Sequence, residues 1–142
     1  MTPELLIRPA NSRVRMPERK SPTSITMDVF AYLMTDYGRG TSRAIHQKAT
    51  TEVPTGLTVF PPPGYHIRIL PKDALSRKGI IVVNSVIDCP SELTIFLFNG
   101  SFETHYVAHE HRIAKLILSP AIRCTVVEDR VPPPEHPQDV HP

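Results

Sequence analysis

The 142 residues include 40% apolar and 21% charged side chains with a net charge of +2, the profile of one domain with a real core. So small a charge argues against the basic face that grips nucleic acid or an anionic membrane. No apolar run approaches the ~18 residues that span a bilayer. Sixteen prolines against six glycines point to strands joined by stiff loops, because proline stops helices and is tolerated at strand edges and turns.

Taken in chain order, Leu5 to Arg8 reads as a short edge strand and Pro9 to Ser24 as an extended, basic lead-in. Ile25 to Met34 is apolar with Asp28 set inside it, and Asp36 to Gln47 is read as a loop around Gly38 and Gly40. Ala49 to Phe60 alternates weakly, punctuated by Pro54 and Gly56, and Pro61-Pro62-Pro63-Gly64 is a strong turn signal. Tyr65 to Leu70 then places Tyr65, Ile67 and Ile69 on one strand face, and Ala74 to Lys78 is the one plausible helical turn. Ile80 to Val83, Val86-Ile87 and Leu93 to Phe98 are strand-like. Asn99-Gly100 predicts a two-residue type I′ hairpin, with Phe102 to Val107 returning along it. Ile113 to Leu118 and Ile122 to Val127 complete the expected β content. Many short strands between closely spaced turns predict a sandwich, barrel or jelly roll over residues 1–130. A proline-rich flexible tail follows over residues 131–142.

Cys89 and Cys124 are too few for a disulfide framework and are expected to be buried or half-buried. With Leu5-Leu6-Ile7 interrupted at Arg8 and Pro9, no signal-peptide core is expected, so the chain is placed in a reducing intracellular compartment. His105, His109 and His111 would share one face of a continuous strand, with Glu103 beside them. Without Cys or Asp at matching spacing they read as solvent-exposed histidines, a surface sensitive to pH near 6 to 7, rather than a metal site. Arg68, Lys72, Arg77 and Lys78 form a basic cluster, read as a remnant phosphate site or a solvated face. Pro134-x-x-Pro137 fits the minimal polyproline-ligand pattern, but the tail reads as unstructured.

In order and spacing, "PPPGYHIRILPKDALSRKGI" (61–80), "SVID" (85–88), "LFN" (97–99) and "HRIAKLIL" (111–118), with the weaker "TMDVFAYL" (26–33), resemble the motifs of the trimeric dUTPase family. The resemblance implies an all-β, compact sandwich or jelly-roll (β-clip) subunit with at most one short helical turn, assembling as a homotrimer. It further implies magnesium as cofactor and dUTP or dUMP as ligand, in sites built from motifs of different subunits. Asp88 falls where the family has its catalytic base, and Asp28 where an aspartate supports the metal through water. Lys72, Asp73, Ser85, Val86, Ile87 and Arg112 fall at substrate-binding positions.

Several family features are altered. An Arg-Ser pair that holds phosphate is here Lys72-Asp73, losing the bidentate fork and placing a carboxylate near a triphosphate. Two unit charges ~4 Å apart at an effective dielectric near 20 repel by roughly 4 kcal/mol, about a thousandfold in rate unless Asp73 turns away. The aromatic that packs on deoxyribose is absent from Cys89-Pro90-Ser91-Glu92, and no glycine follows Gly100 to build a phosphate-closing fifth motif. This pattern is most similar to the dUTPase-derived early-region-4 proteins of adenoviruses. The leading expectation is therefore a viral-type, catalytically degenerate protein acting through protein contacts, with host signalling or scaffold proteins as partners in the host cytoplasm or nucleus. An active dUTP diphosphatase using magnesium is the alternative, and a non-cleaving deoxyuridine-nucleotide binder the second. The terminal Asp139-Val140-His141-Pro142 does not suit PDZ capture, which needs an apolar terminal side chain.

Overall fold

Period-two burial sets the architecture of the computed structural model, which describes residues 2–132. Ten strands and one helical turn follow in order: β1 (Leu6–Pro9), β2 (Met27–Phe30), β3 (Ser42–Ile45), β4 (Thr50–Phe60), β5 (Tyr65–Pro71), α1 (Asp73–Ser76), β6 (Ile80–Val82), β7 (Val86–Ile87), β8 (Ser91–Asn99), β9 (His105–Ala108) and β10 (Arg112–Pro120). One sheet has the order β1-β4-β8-β6 and another β2-β10-β5-β7, with β3-β9 as a two-stranded ribbon. Every strand pairing is antiparallel. The all-β sandwich or jelly-roll expectation holds, and α1 is the one short helical turn.

The core is written in alternate residues. Val53, Leu57 and Val59 of β4 and Leu93, Ile95 and Leu97 of β8 are buried, as are Ile67 and Ile69 of β5 and Ile113 and Leu116 of β10. A bulge lies between Pro54 and Leu57, where Thr55 and Gly56 are additional to the β8 partner strand. Because two residues are inserted, the faces of β4 stay in phase on either side. The freed backbone groups find partners: Pro54 O accepts from Tyr32 N at 2.8 Å and Gly56 O from Ala10 N at 2.8 Å. The Thr55 hydroxyl donates to Leu93 O at 2.6 Å. Gly56 sits at φ +72°, and a Cβ there would meet Val14 Cγ2 at 2.7 Å. Gly56→Ala is expected to cost about 1–2 kcal/mol from the left-handed backbone alone, more with the Val14 overlap, as a lower urea midpoint.

Four expectations are corrected. Asn99-Gly100 is not a type I′ hairpin: neither residue has positive φ, and β8 pairs with β4 and β6. The Asn99 side chain is turned inward to bind backbone, so the chain leaves the sheet instead of folding back along it. The span 36–47, read as loop, contains β3, which pairs with β9 across more than fifty residues. Ile122 to Val127 forms no strand; Ile122, Val126 and Val127 are 93%, 89% and 79% exposed, with no strand among the described residues to receive them. Cys89 and Cys124 are both free and exposed, one just beyond the end of β7 and the other in that same unpaired segment. The tail 131–142 lies outside the described residues from position 133 onward.

Candidate active site

The segments that carry Asp28, Lys72 and Arg112 meet at one end of the β2-β10-β5-β7 sheet. A bulge between Arg112 and Ala114 brings Arg112 opposite Phe30 and Ala114 opposite Val29. The extra residue changes the parity of β10. Arg112 thereby shares a face with Phe30 and Asp28, while Ile113 and Ala114 are both buried. Lys72 follows directly on the last residue of β5, whose Pro71 is paired with Ala114. From there its amine reaches Asp28.

Asp28 is 5% exposed and accepts from both cations. Lys72 Nζ lies 2.9 Å from Oδ1 and Arg112 Nε 3.1 Å from Oδ2. Its backbone bonds reciprocally with Glu18, at 2.7 and 3.0 Å. Burying a carboxylate is costly unless it is paired and hydrogen-bonded, and here both conditions are met. Beside it, the buried Phe30 ring carries the Arg15 guanidinium at 3.8 Å and the Arg112 guanidinium at 5.2 Å from its centroid. Glu18 touches Arg15 at 3.0 Å and Arg112 at 3.9 Å, and Glu110 approaches Arg15 at 3.8 Å.

The segment Ser85 to Asp88 lies elsewhere. β7 pairs with β5 at Ile67↔Ile87 and Arg68↔Val86, and Ser85 O accepts from Ile69 N at 2.8 Å. Ser85 and Val86 are exposed and Ile87 half-buried. Asp88 is exposed in a groove of about 560 Å³ with the Pro61–Tyr65 turn and Ala121–Arg123. Six residues of β5, at ~3.3 Å each, separate its level from Lys72, so Asp88 stands roughly 20 Å from the Asp28 cluster within one chain. Asp73, the first residue of α1, is exposed beside Lys72. One chain therefore joins Asp28, Lys72 and Arg112 and leaves Ser85, Val86, Ile87 and Asp88 apart.

The donor set does not fit a resident metal. Both Asp28 oxygens are taken by cations, and among the described residues no group of three His, Cys, Asp or Glu is placed to hold an ion. The histidines do not form one strand face, because β9 ends at Ala108 and a turn follows. His109 Nδ1 accepts from Leu33 N at 3.0 Å and His111 Nδ1 from Ala108 N at 3.1 Å. His109 is 16% exposed, so it is not the solvent-exposed histidine expected. In the basic cluster Lys72 alone makes an ion pair among the described residues, and Arg68, Arg77 and Lys78 are exposed. Arg15, Glu18 and Phe30 were not singled out by the sequence. The Arg15–Glu18 spacing is a weak local signal, and their approach to Arg112 arises only in the fold.

Asp28 from β2, Arg112 from β10 and Lys72 just beyond β5 thus form a buried acid held by two cations at one end of a β-sandwich. A dUTPase family model matches residues 13–137, and the chain belongs to the dUTPase family. It is 34% identical over 80 residues to the deoxyuridine 5'-triphosphate nucleotidohydrolase of Chlamydia pneumoniae, covering 53% of this chain and 55% of that protein. It is 35% identical over 81 residues to that of Methylocella silvestris, covering 54% and 51%. The chain thus spans about half the length of the curated relatives it matches. Among solved structures, a point mutant of the dUTPase from phage phi11 of S. aureus, described with a structural Mg(II) ion, superposes with TM-score 0.78 at 16% identity. That match covers 91% of this chain and 98% of the other. A Staphylococcus bacteriophage 80alpha dUTPase mutant with dUpNHpp gives TM-score 0.74 at 18% identity, covering 92% and 98%. These two likenesses concern the fold.

Proposed function

We propose that the chain is a dUTP diphosphatase subunit whose site is completed between copies in a homotrimer. The observation that carries this is the division of the motifs: Asp28, Lys72 and Arg112 gathered at one sheet end, with Asp88 exposed roughly 20 Å away. A neighbouring copy can then supply Asp88 to the cationic end of the next. In this reaction Asp88 takes a proton from water. The water oxygen bonds to phosphorus, the bond between the α- and β-phosphates breaks, and dUMP and pyrophosphate leave. Lys72 and Arg112 balance charge on the phosphate oxygens. Magnesium enters with the substrate as the triphosphate complex, in keeping with its habit of binding through phosphates and retained waters. The exposed Ile122, Val126 and Val127 support association between copies, because a lone chain leaves them in water.

Pyrophosphate release from dUTP with magnesium tests the proposal on purified wild type beside Asp88→Asn. Wild type is expected to turn over and the variant to lose about a hundredfold or more. Equal rates in both would remove Asp88 from the reaction.

A second reading is favoured by the charges themselves. Asp28 engages both phosphate-site cations, Asp73 stands beside Lys72, and Cys89-Pro90-Ser91 offers no ring to the sugar. In this reading the fold is a catalytically degenerate, viral-type scaffold for host signalling or scaffold proteins, as in the adenoviral early-region-4 proteins. No release from either protein supports it. Heat from dUpNHpp with magnesium and no turnover instead marks a non-cleaving deoxyuridine-nucleotide binder. Both readings carry a reducing intracellular compartment, supported by two exposed, unpaired thiols.

A further inference from the structure

We infer that Arg15 is a second phosphate-binding arginine of this site and that Glu18 holds the place a phosphate takes; this rests on the proposed nucleotide site at Arg112. Two guanidiniums, from Arg15 and Arg112, lie over the one buried Phe30 ring at 3.8 and 5.2 Å. Both guanidiniums stand within cation–π range of the ring, and their N–H groups reach the neighbouring carboxylates. Two like charges so close need an anion between them, and Glu18 supplies it. Its carboxylate receives Arg15 Nε at 3.4 Å and Arg15 Nη2 at 3.0 Å, and stands 3.9 Å from Arg112 Nη2.

Burial separates the two acids in kind. Asp28 is 5% exposed and holds Lys72 and the Nε edge of Arg112, so it is a fixed part of the fold. The Glu18 side chain is 48% exposed, at the solvent side of the same cluster. An exposed ion pair is weak, so this contact yields readily to a stronger anion. In the free chain the cations Arg15, Lys72 and Arg112 are balanced by the carboxylates Glu18, Asp28 and Glu110. A phosphate carries more charge than a carboxylate and three acceptor oxygens, and suits a paired-arginine fork better. Glu18 then swings into solvent. Arg15 offers the bidentate geometry that Lys72 lacks.

Titration calorimetry of the full-length protein with inorganic tripolyphosphate reads this site without the base or sugar. Glu18→Gln is expected to tighten binding about threefold to tenfold, and Arg15→Ala to weaken it by a similar factor. Arg15→Lys should fall between, and Arg15→Ala made on Glu18→Gln should cancel the gain. Far-UV circular dichroism confirms that each variant is folded. Unchanged binding in both single variants, or no heat at millimolar ligand from wild type and Glu18→Gln alike, overturns the inference. Tripolyphosphate binding that follows the two side chains while dUTP is not turned over upholds it and defeats the proposed reaction. Normal dUTP turnover, with binding indifferent to both, does the reverse.

Discussion

Replacing Asp28 by alanine is expected to destabilise the protein by about 3–5 kcal/mol, the range for removing one partner of a buried ion pair. Asp28 is 5% exposed and the Lys72 side chain 12%, so the loss leaves an ammonium group in a poorly hydrated place with its counter-charge gone. Arg112, 50% exposed, contributes less, because water takes over its Nε. The penalty comes from the stranded lysine, and that has a consequence. Removing both charges with Asp28→Leu and Lys72→Met should recover most of the loss, since a well-packed apolar pair often equals a buried salt bridge. Urea unfolding of wild type, Asp28→Leu, Lys72→Met and the double variant gives the coupling. A single-variant loss below ~1 kcal/mol would mean that water reaches the pair, which then behaves as a surface salt bridge. The double variant also separates architecture from the proposed chemistry, because it leaves Asp88 untouched and alters only the Asp28–Lys72 pair.

The strands with strict alternation were legible because their burial is decided locally, by which face of the pleat meets the core. Leu93 to Phe98 and Tyr65 to Leu70 are of this kind. Ser42–Ile45 was not, since Ile45 is its one strongly apolar residue and its partner β9 comes from a remote part of the chain. The opposite error occurred at Ile122 to Val127, where β-branched residues have the propensity and, among the described residues, no strand to pair with. Propensity in sheets describes a fit to neighbours, and neighbours are not in the local sequence. At the site, motif order marked Asp28, Lys72 and Arg112 individually. That one buried acid joins the two cations depends on the β10 bulge, which a residue pattern does not announce. The distance of Asp88 from them follows from register, which is set by the whole sheet.

Asn99 shows why a strong local signal lost, and the same bonds set the size of its effect. Its side chain is buried and makes four hydrogen bonds. The amide donates to Ile45 O at 2.9 Å and Glu103 O at 2.7 Å, and the carbonyl accepts from Ser101 N at 2.9 Å and Ser101 Oγ at 2.7 Å. A type I′ turn would send this side chain into water, forfeiting all four. Asn99 therefore ties the end of β8 to the end of β3 and to the segment leading into β9, in place of a two-residue return. Asn99→Ala is expected to cost about 3–4 kcal/mol, since four bonds of a buried side chain are lost at about 1 kcal/mol net each. Asn99→Asp keeps the shape and is expected to be at least as damaging, because a carboxylate would face the two carbonyl oxygens that the amide now serves. Chemical denaturation ranks the two. If Asn99→Asp proved as stable as wild type, the amide's donor role would be wrong and packing alone would explain the burial. If both variants fall as expected, hydrogen exchange should show the amides at the Ile45–His105 end of β3 and β9 opening earlier than in wild type, since Asn99 bonds directly to Ile45 O and Glu103 O there.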